Sequence, residues 1–266
     1  MKTFVVGDVH GRCAQLLNLL DMLPRDESAD TLVFLGDLID RGPDAPGTVE
    51  SVLEVQQKTP SHVTCLRGNH EQMLLEFIEG KSNIWITPVT GGERTFEQYT
   101  GRLAIAHTEA ELEELRSTVE KSIPPKHLEF MRAMPFFHED DYAIYVHAGL
   151  EKGKHPRDSS PQSLLWMRDM EFYKNYSGKL CLFGHTPTPF LPLRGRLGRH
   201  GIYMSKSAIG LDTGYNHTSP LSCLSLPDFT LYQAFADGRA ETHQITSFMP
   251  AGIKEMQKKV GWVAEE

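Results

Sequence analysis

The sequence predicts an α/β fold. Two patterns carry that prediction. In the first third of the chain, short β-rich apolar runs alternate with leucine-rich helical spacing, the signature of parallel strands joined through helices. Each run also ends in a glycine beside Asp, His or Asn, as at Gly7-Asp8, Gly36-Asp37 and Gly68-Asn69. A third pattern, apolar strands packed closely near the C-terminus, adds antiparallel neighbours.

Thr3 to Val6 reads as a buried strand ended by Gly7. Leu16, Leu17, Leu19, Leu20 and Leu23 then recur at helical spacing until Pro24. Thr31 to Leu35 is a second strand and Val63 to Leu66 a third. Glu71 to Ile78 is a short helix stopped by Gly80. From Ser82 to Ala133 the pattern is helical: Thr108-Glu109-Ala110-Glu111 forms a capping box, and a further helix follows Pro124-Pro125. This stretch, about 82–135, reads as an insertion lying over the core. Strand character returns at Tyr142 to Val146, Leu180 to Phe183, Ile209 to Asp212, Leu221 to Leu226 and Phe229 to Phe235, with a tight turn at Leu226-Pro227-Asp228. The charged tail from Lys254 reads as a short surface helix. With no repeat and no low-complexity linker, residues 1–266 are expected to form a single domain.

Composition narrows the function. Hydrophobic residues are 40% and charged residues 23% of the 266, which excludes a disordered chain or a coiled-coil rod. No apolar run reaches 18 residues, so no membrane partner is expected. The apolar stretch at Met1 to Val6 is too short for a signal peptide, so a cytoplasmic location is expected. Lys and Arg total 27 against 35 Asp and Glu, a net charge of -8 that argues against a nucleic-acid partner. It leaves an anionic substrate open, because metals or a few arginines make a site locally positive. Cys13, Cys65, Cys181 and Cys223 form no CxxC pair and read as free thiols.

Five clusters carry chemistry: Gly7-Asp8-Val9-His10-Gly11, Gly36-Asp37-Leu38-Ile39-Asp40-Arg41-Gly42, Gly68-Asn69-His70-Glu71, His147-Ala148-Gly149 and Gly184-His185-Thr186-Pro187. All follow apolar strands, at the sheet edge where α/β proteins build sites. One Asp or His after a strand is usually a loop cap; five such clusters in order are hard to obtain as independent caps. The donor mix of Asp8, His10, Asp37, Asn69, His147 and His185 suits Mn, Fe, Zn or Mg. Six such ligands fit two ions, spaced roughly 3.5–4 Å in two-metal hydrolases.

Together the five motifs resemble the phosphoprotein phosphatase branch of the calcineurin-like metallophosphoesterases, in its compact bacterial and phage serine/threonine form. The likeness runs from Gly7 to Pro187, with a weaker trace at Leu211-Asp212-Thr213-Gly214. It implies two mixed β-sheets packed as a sandwich, flanked by helices, with a dinuclear metal centre at one sheet edge. It implies that Asp8, His10 and Asp37 hold one divalent ion and that Asp37, Asn69, His147 and His185 hold the other, manganese being the metal the resemblance favours. It further implies His70 as general acid, Asp40 as the group orienting it, and Arg41 with Arg168 as the grip on phosphate. The attack would come directly from hydroxide on the ion pair, without a phosphoenzyme.

The expected activity is hydrolysis of phosphoserine and phosphothreonine in proteins, with small phosphate esters or nucleotides as further substrates. The closest alternative is a symmetrical dinucleoside tetraphosphate hydrolase of the same branch, which typically lacks an Asp at the position of Asp40 and carries Asp where this chain has Glu71. A catalytically silent scaffold is the alternative of another class; an intact acid and ligand set argues against it. Trp85 and Gly91 to Thr95 are expected to line the substrate groove, although Thr90 replaces an Asn common in the family. Tyr215 to Pro220 lacks a usual Gly pair. Arg194, Arg196 and Arg199 read as a solvated loop.

Overall fold

The computed structural model describes residues 1–192, 196–197, 201–214 and 218–245. Its strands are β1 (Thr3–Val6), β2 (Thr31–Phe34), β3 (Val63–Cys65), β4 (Phe137–Glu139), β5 (Ile144–Val146), β6 (Cys181–Phe183), β7 (Arg196–Leu197), β8 (Tyr203–Met204), β9 (Ala208–Gly210), β10 (Leu221–Leu226), β11 (Thr230–Ala234) and β12 (Ala240–Gln244). Its helices are α1 (Cys13–Met22), α2 (Ala45–Lys58), α3 (Asn69–Ile78), α4 (Gly92–Thr100), α5 (Glu109–Ser122), α6 (Pro125–Ala133), α7 (Pro161–Trp166) and α8 (Met170–Asn175).

Two mixed six-stranded sheets result, ordered β12-β11-β10-β1-β2-β3 and β4-β5-β6-β9-β8-β7. The strand period of two explains how they stack. Phe4 and Val6 of β1 join one apolar cluster, shared with α1 to α6, whereas Val5 joins a second cluster with Tyr145 and Leu182 of the facing sheet. The opposite faces of β5 and β6, through Ile144, Val146, Cys181 and Phe183, pack on α7 and α8 in a third cluster. The order is therefore helices, sheet, sheet, helices. Each fully buried Val, Leu or Phe in these layers stabilises by about 1.5–3 kcal/mol.

The stretch 82–135 is helical as expected. Its helices extend the layer over the first sheet, with Phe96, Leu115, Val119 and Met131 in the same cluster as Phe4 and Leu32. The predicted capping box is present: Glu111 N–H donates to Thr108 Oγ1 at 3.3 Å and Thr108 N–H donates to Glu111 Oε2 at 2.9 Å.

Several details differ from the sequence reading, which placed no element at β4, β7, β8, β12, α7 or α8. Helix α2 has no counterpart there; Asp44 caps it, its Oδ1 accepting from Gly47 N–H at 2.8 Å, and Pro46 occupies its first turn. Helix α3 begins at Asn69, two residues before Glu71, with Gly68 as its N-cap. Strand β9 ends at Gly210, so Asp212 lies past its end. All four cysteines are free, with Cys65, Cys181 and Cys223 buried. No helix among the described residues is long and apolar enough to cross a membrane. Arg194, Arg199, Tyr215 to His217 and the tail from Lys254 lie outside the described residues.

Candidate metal centre

Parallel pairing brings strand ends together. β1, β2 and β3 run parallel, as do β5, β6 and β9, and the chain past each C-terminal end carries a polar residue. The residues are Asp8 after β1, Asp37 after β2, Asn69 after β3, His147 after β5, His185 after β6 and Asp212 after β9. Two hydrogen bonds join the sheets there: His147 Nδ1–H donates to Leu35 O at 2.8 Å, and His185 N–H donates to Asp8 Oδ2 at 2.9 Å.

The imidazole tautomers follow from such contacts. His10 Nδ1–H donates to Ile39 O at 2.9 Å, leaving Nε2 as acceptor. His147 Nε2 is likewise left with a lone pair, and it faces Asn69 Oδ1 at 2.9 Å and Asp37 Oδ1 at 3.4 Å. His185 Nδ1 reaches the same Asn69 oxygen at 2.7 Å. Acceptors thus converge on acceptors. Ligand atoms of Asp37, His147 and His185 lie within 4.8 Å of one another, as do those of His10, Asp37 and His70. Asp37 belongs to both groups.

All of these side chains are buried. Burial and then Arg41 push the His10 pKa down, and burial and then His147 do the same for His185, so both favour the neutral ligand form. Burial raises the Asp8 carboxyl well above its ordinary range, and the charges of Asp212 and Asp37 raise it further. Burial also opposes ionisation of Asp37, but His147, His70 and His10 outweigh it and hold its carboxyl low. Asp8 Oδ1, His185 Nε2 and both Asp212 oxygens are buried with no hydrogen-bond partner among the described residues. Buried acceptors without donors, on carboxylates crowded by like charge, are the arrangement a cation relieves. The donor set fits divalent metal.

Close packing around these donors requires glycine at Gly184: a Cβ there would sit 1.9 Å from Asp8 Oδ1. Backbone strain marks the same residues. His10, Asp37, Asp40, Arg41 and His185 have φ of 47°, 51°, 71°, 67° and 63°, a left-handed region that side-chain-bearing residues avoid. Glu71 supports this loop from beneath. Its Oε1 accepts from Leu38 N–H at 2.7 Å and Ile39 N–H at 3.3 Å, and its Oε2 from Asp37 N–H at 3.0 Å and Gly68 N–H at 2.9 Å.

Beside the donors stands an acid pair. His70 Nδ1–H donates to Asp40 Oδ2 at 2.6 Å. Burial lowers the His70 pKa, but Asp37 and Asp40 overcome it and the net shift is upward. Arg41 donates to His10 Nε2 at 3.0 Å and to His70 Nε2 at 3.1 Å. Arg168 follows α7 and, after burial and other neighbours, its charge disfavours protonation of His147 and His185.

Nine of the ten sequence-predicted residues are therefore joined by close contacts into one cluster, and the tenth, Arg168, is near enough for its charge to act on His147 and His185. His70 stands within the same donor group as His10 and Asp37, while Asp8 meets it through His185 and the crowding of carboxylates. The expectation for Trp85 is corrected: it is fully buried, under Asp40, and lines no groove. Sequence reasoning gave no role to Asp212, named only within the weaker trace at Leu211 to Gly214, and did not single out Arg12. Arg12 Nη2–H donates to Asp8 O at 2.6 Å and Nε–H to Val9 O at 2.8 Å. Asp212, with burial pushing its pKa up to about 6, shows the same strand-then-Asp grammar as Asp8, the one signal that marks it in the sequence.

A phosphoester-hydrolase class is what two facing mixed sheets and this donor set define. The sequence model of the calcineurin-like phosphoesterases matches residues 1–189, and the chain belongs to that family. Serine/threonine-protein phosphatase 1 of Salmonella typhimurium is 41% identical over 91 residues, 34% of this chain and 38% of that protein. A symmetrical bis(5'-nucleosyl)-tetraphosphatase of Nitrosomonas europaea is 27% identical over 150 residues, 56% of this chain and 45% of that one. The chain thus spans less than half the length of these two curated relatives. Among solved structures, a serine/threonine phosphatase of Saccharomyces cerevisiae superposes with a TM-score of 0.51 at 17% identity, over 92% of this chain and 80% of the other, a likeness of fold.

Proposed function

We propose that the chain is a metal-dependent phosphomonoesterase acting on phosphoserine and phosphothreonine in proteins. Asp8, His10 and Asp37 would hold one divalent cation and Asp37, Asn69, His147 and His185 a second, manganese fitting this donor set alongside Fe, Zn and Mg. When bound, the cations neutralise the phosphate dianion and make water acidic enough to attack it.

The chain's own residues do the rest. Arg41 and Arg168 offer planar forks to phosphate oxygens, which fixes the ester in the cleft. With Arg41 turned from His70 Nε2 to the phosphate, the imidazolium of His70 would give its Nε2 proton to the departing serine or threonine oxygen, an alkoxide too basic to leave alone. Asp40 holds the opposite ring nitrogen. The observation that carries the reading is this 2.6 Å Asp40–His70 contact beside Arg41, a proton source suited to a poor leaving group.

The second reading, hydrolysis of a dinucleoside tetraphosphate, is favoured by the tetraphosphatase among the relatives. Glu71 no longer helps to separate the two, because both its oxygens are taken up by backbone N–H groups. Asp40 remains the residue that favours the protein substrate. The test is a side-by-side assay of phosphopeptide and diadenosine tetraphosphate with manganese supplied. Release of inorganic phosphate from the peptide supports the proposal; exclusive release of nucleoside diphosphate overturns it, and metal binding without any turnover supports the silent scaffold.

A further inference from the structure

Asp40 is held by residues that lie outside every metal-centre motif. Its N–H donates to Thr95 Oγ1 at 2.9 Å. The indole Nε1–H of Trp85 is shared between its two carboxylate oxygens, 3.1 Å from Oδ1 and 3.2 Å from Oδ2. Trp85 itself has no freedom to move. It is fully buried, its ring lies 5.3 Å from that of Phe77, and Thr90 Oγ1–H donates to its carbonyl at 2.6 Å. Helix α4 begins so close that a Cβ on Gly92 would stand 2.0 Å from the same carbonyl. The stretch 82–135 thus reaches Asp40 through two side chains, Thr95 at its backbone N–H and Trp85 at its carboxylate.

We propose that Trp85 is a positioning residue for proton delivery by His70. An unrestrained aspartate rotates about its last torsion, and its two oxygens then compete for His70 Nδ1–H. A forked indole N–H fixes the carboxylate plane. Oδ2 then stays opposite His70 Nδ1, and the ring holds Nε2 at the leaving oxygen. The proton balance is simple. The water oxygen bonds to phosphorus, the ester P–O bond breaks, the leaving oxygen takes the Nε2 proton, and the water's proton passes to solvent, from which His70 is recharged. The inference rests on the phosphomonoesterase reading above.

Leaving-group dependence separates positioning from packing. Trp85→Phe keeps an aromatic ring and removes the N–H. With the full chain and manganese, kcat is measured on a phosphoserine peptide, whose alkoxide needs the proton, and on 2,4-dinitrophenyl phosphate, whose phenolate leaves without one. The expected result is a fall of about tenfold or more on the peptide, a small part of the 10²–10⁴ an acid supplies, and of less than about threefold on the aryl ester. KM and metal content stay unchanged. Equal losses on both esters, or no loss on either, overturn the proposal. If Trp85→Phe does not fold, β-(3-benzothienyl)alanine at position 85 keeps both rings, replaces N–H by sulfur and is read the same way. Wild-type protein inert towards both esters sinks the phosphomonoesterase reading instead.

Discussion

Replacing Glu71 by glutamine exchanges one oxygen for an NH₂ and is expected to destabilise the fold on the scale of a core truncation. Glu71 is completely buried, and its two oxygens accept four backbone N–H groups, two each. Glutamine keeps one carbonyl oxygen and turns an NH₂ towards the other pair. Two of the four donors then lose their acceptor in a site without water access. A buried donor left unsatisfied costs about 1–3 kcal/mol, so the loss is about 2–6 kcal/mol. Burial and then the charge of Asp37 push the Glu71 pKa up to about 7, so above that pH the buried charge itself opposes folding, and glutamine, free of it, recovers part of the loss at pH 8.5. Urea unfolding of wild type and Glu71→Gln gives the difference directly, with exposed Glu120→Gln as a control expected within about 0.5 kcal/mol. Because the orphaned donors include an N–H of the Asp37 loop, cation affinity falls too. A Glu71→Gln protein as stable as the control would refute the bracket.

Three other outcomes follow from the same geometry. His70→Asn is expected to lose most turnover of alkyl phosphates and keep its metal, whereas Asp37→Asn loses metal; elemental analysis showing the reverse pattern would mean the two roles are exchanged. Gly184→Ala puts a Cβ 1.9 Å from Asp8 Oδ1, so Asp8 must retreat, with about 1–3 kcal/mol lost to overpacking and a weaker cation site by calorimetry; unchanged affinity would contradict this. At Asp228, burial raises the pKa, but hydrogen bonds from Lys2 at 2.8 Å and Ser225 at 2.6 Å outweigh it and hold the carboxyl below its ordinary value of about 3.9. A depressed carboxylate stabilises the fold above the unfolded value and ceases to as pH falls through the folded one. Wild type should therefore exceed Asp228→Asn in urea midpoint at pH 7, and the gap should close towards pH 3; a gap independent of pH rules the linkage out.

Much of the centre was legible because its donors obey one local rule, a strand, a glycine and a polar residue, which requires no knowledge of distant neighbours. Asp8, Asp37, Asn69 and His185 follow it, and His147 comes directly after its strand with Gly149 two residues on. Asp212 follows it with one residue, Leu211, in between, and the reading of Ile209 to Asp212 as strand placed that carboxylate inside an element instead of past its end. Trp85 illustrates the opposite limit: in sequence a lone tryptophan between isoleucines gives no sign that its N–H meets an aspartate 45 residues away. Helix α2 escaped notice because Pro46 and Gly47 suggest a turn, although Asp44 before a first-turn proline is a start signal. Strand β12, Ala-Glu-Thr-His-Gln, is polar on an outer edge, and only pairing with β11 defines it.

The left-handed backbone at His10, Asp37, Asp40, Arg41 and His185 sets this protein's function against its own durability. Each such residue opposes folding by on the order of 1 kcal/mol, and these five, unlike the sixth, Phe229, in the turn between β10 and β11, are groups proposed for ligation, acid orientation and phosphate capture. Glycine at His10 or Arg41 would relax the chain while silencing it. A population selected for heat resistance alone would therefore erode its own cleft before its sheets, and inactive survivors that melt later than their parent are the expected mark of that conflict.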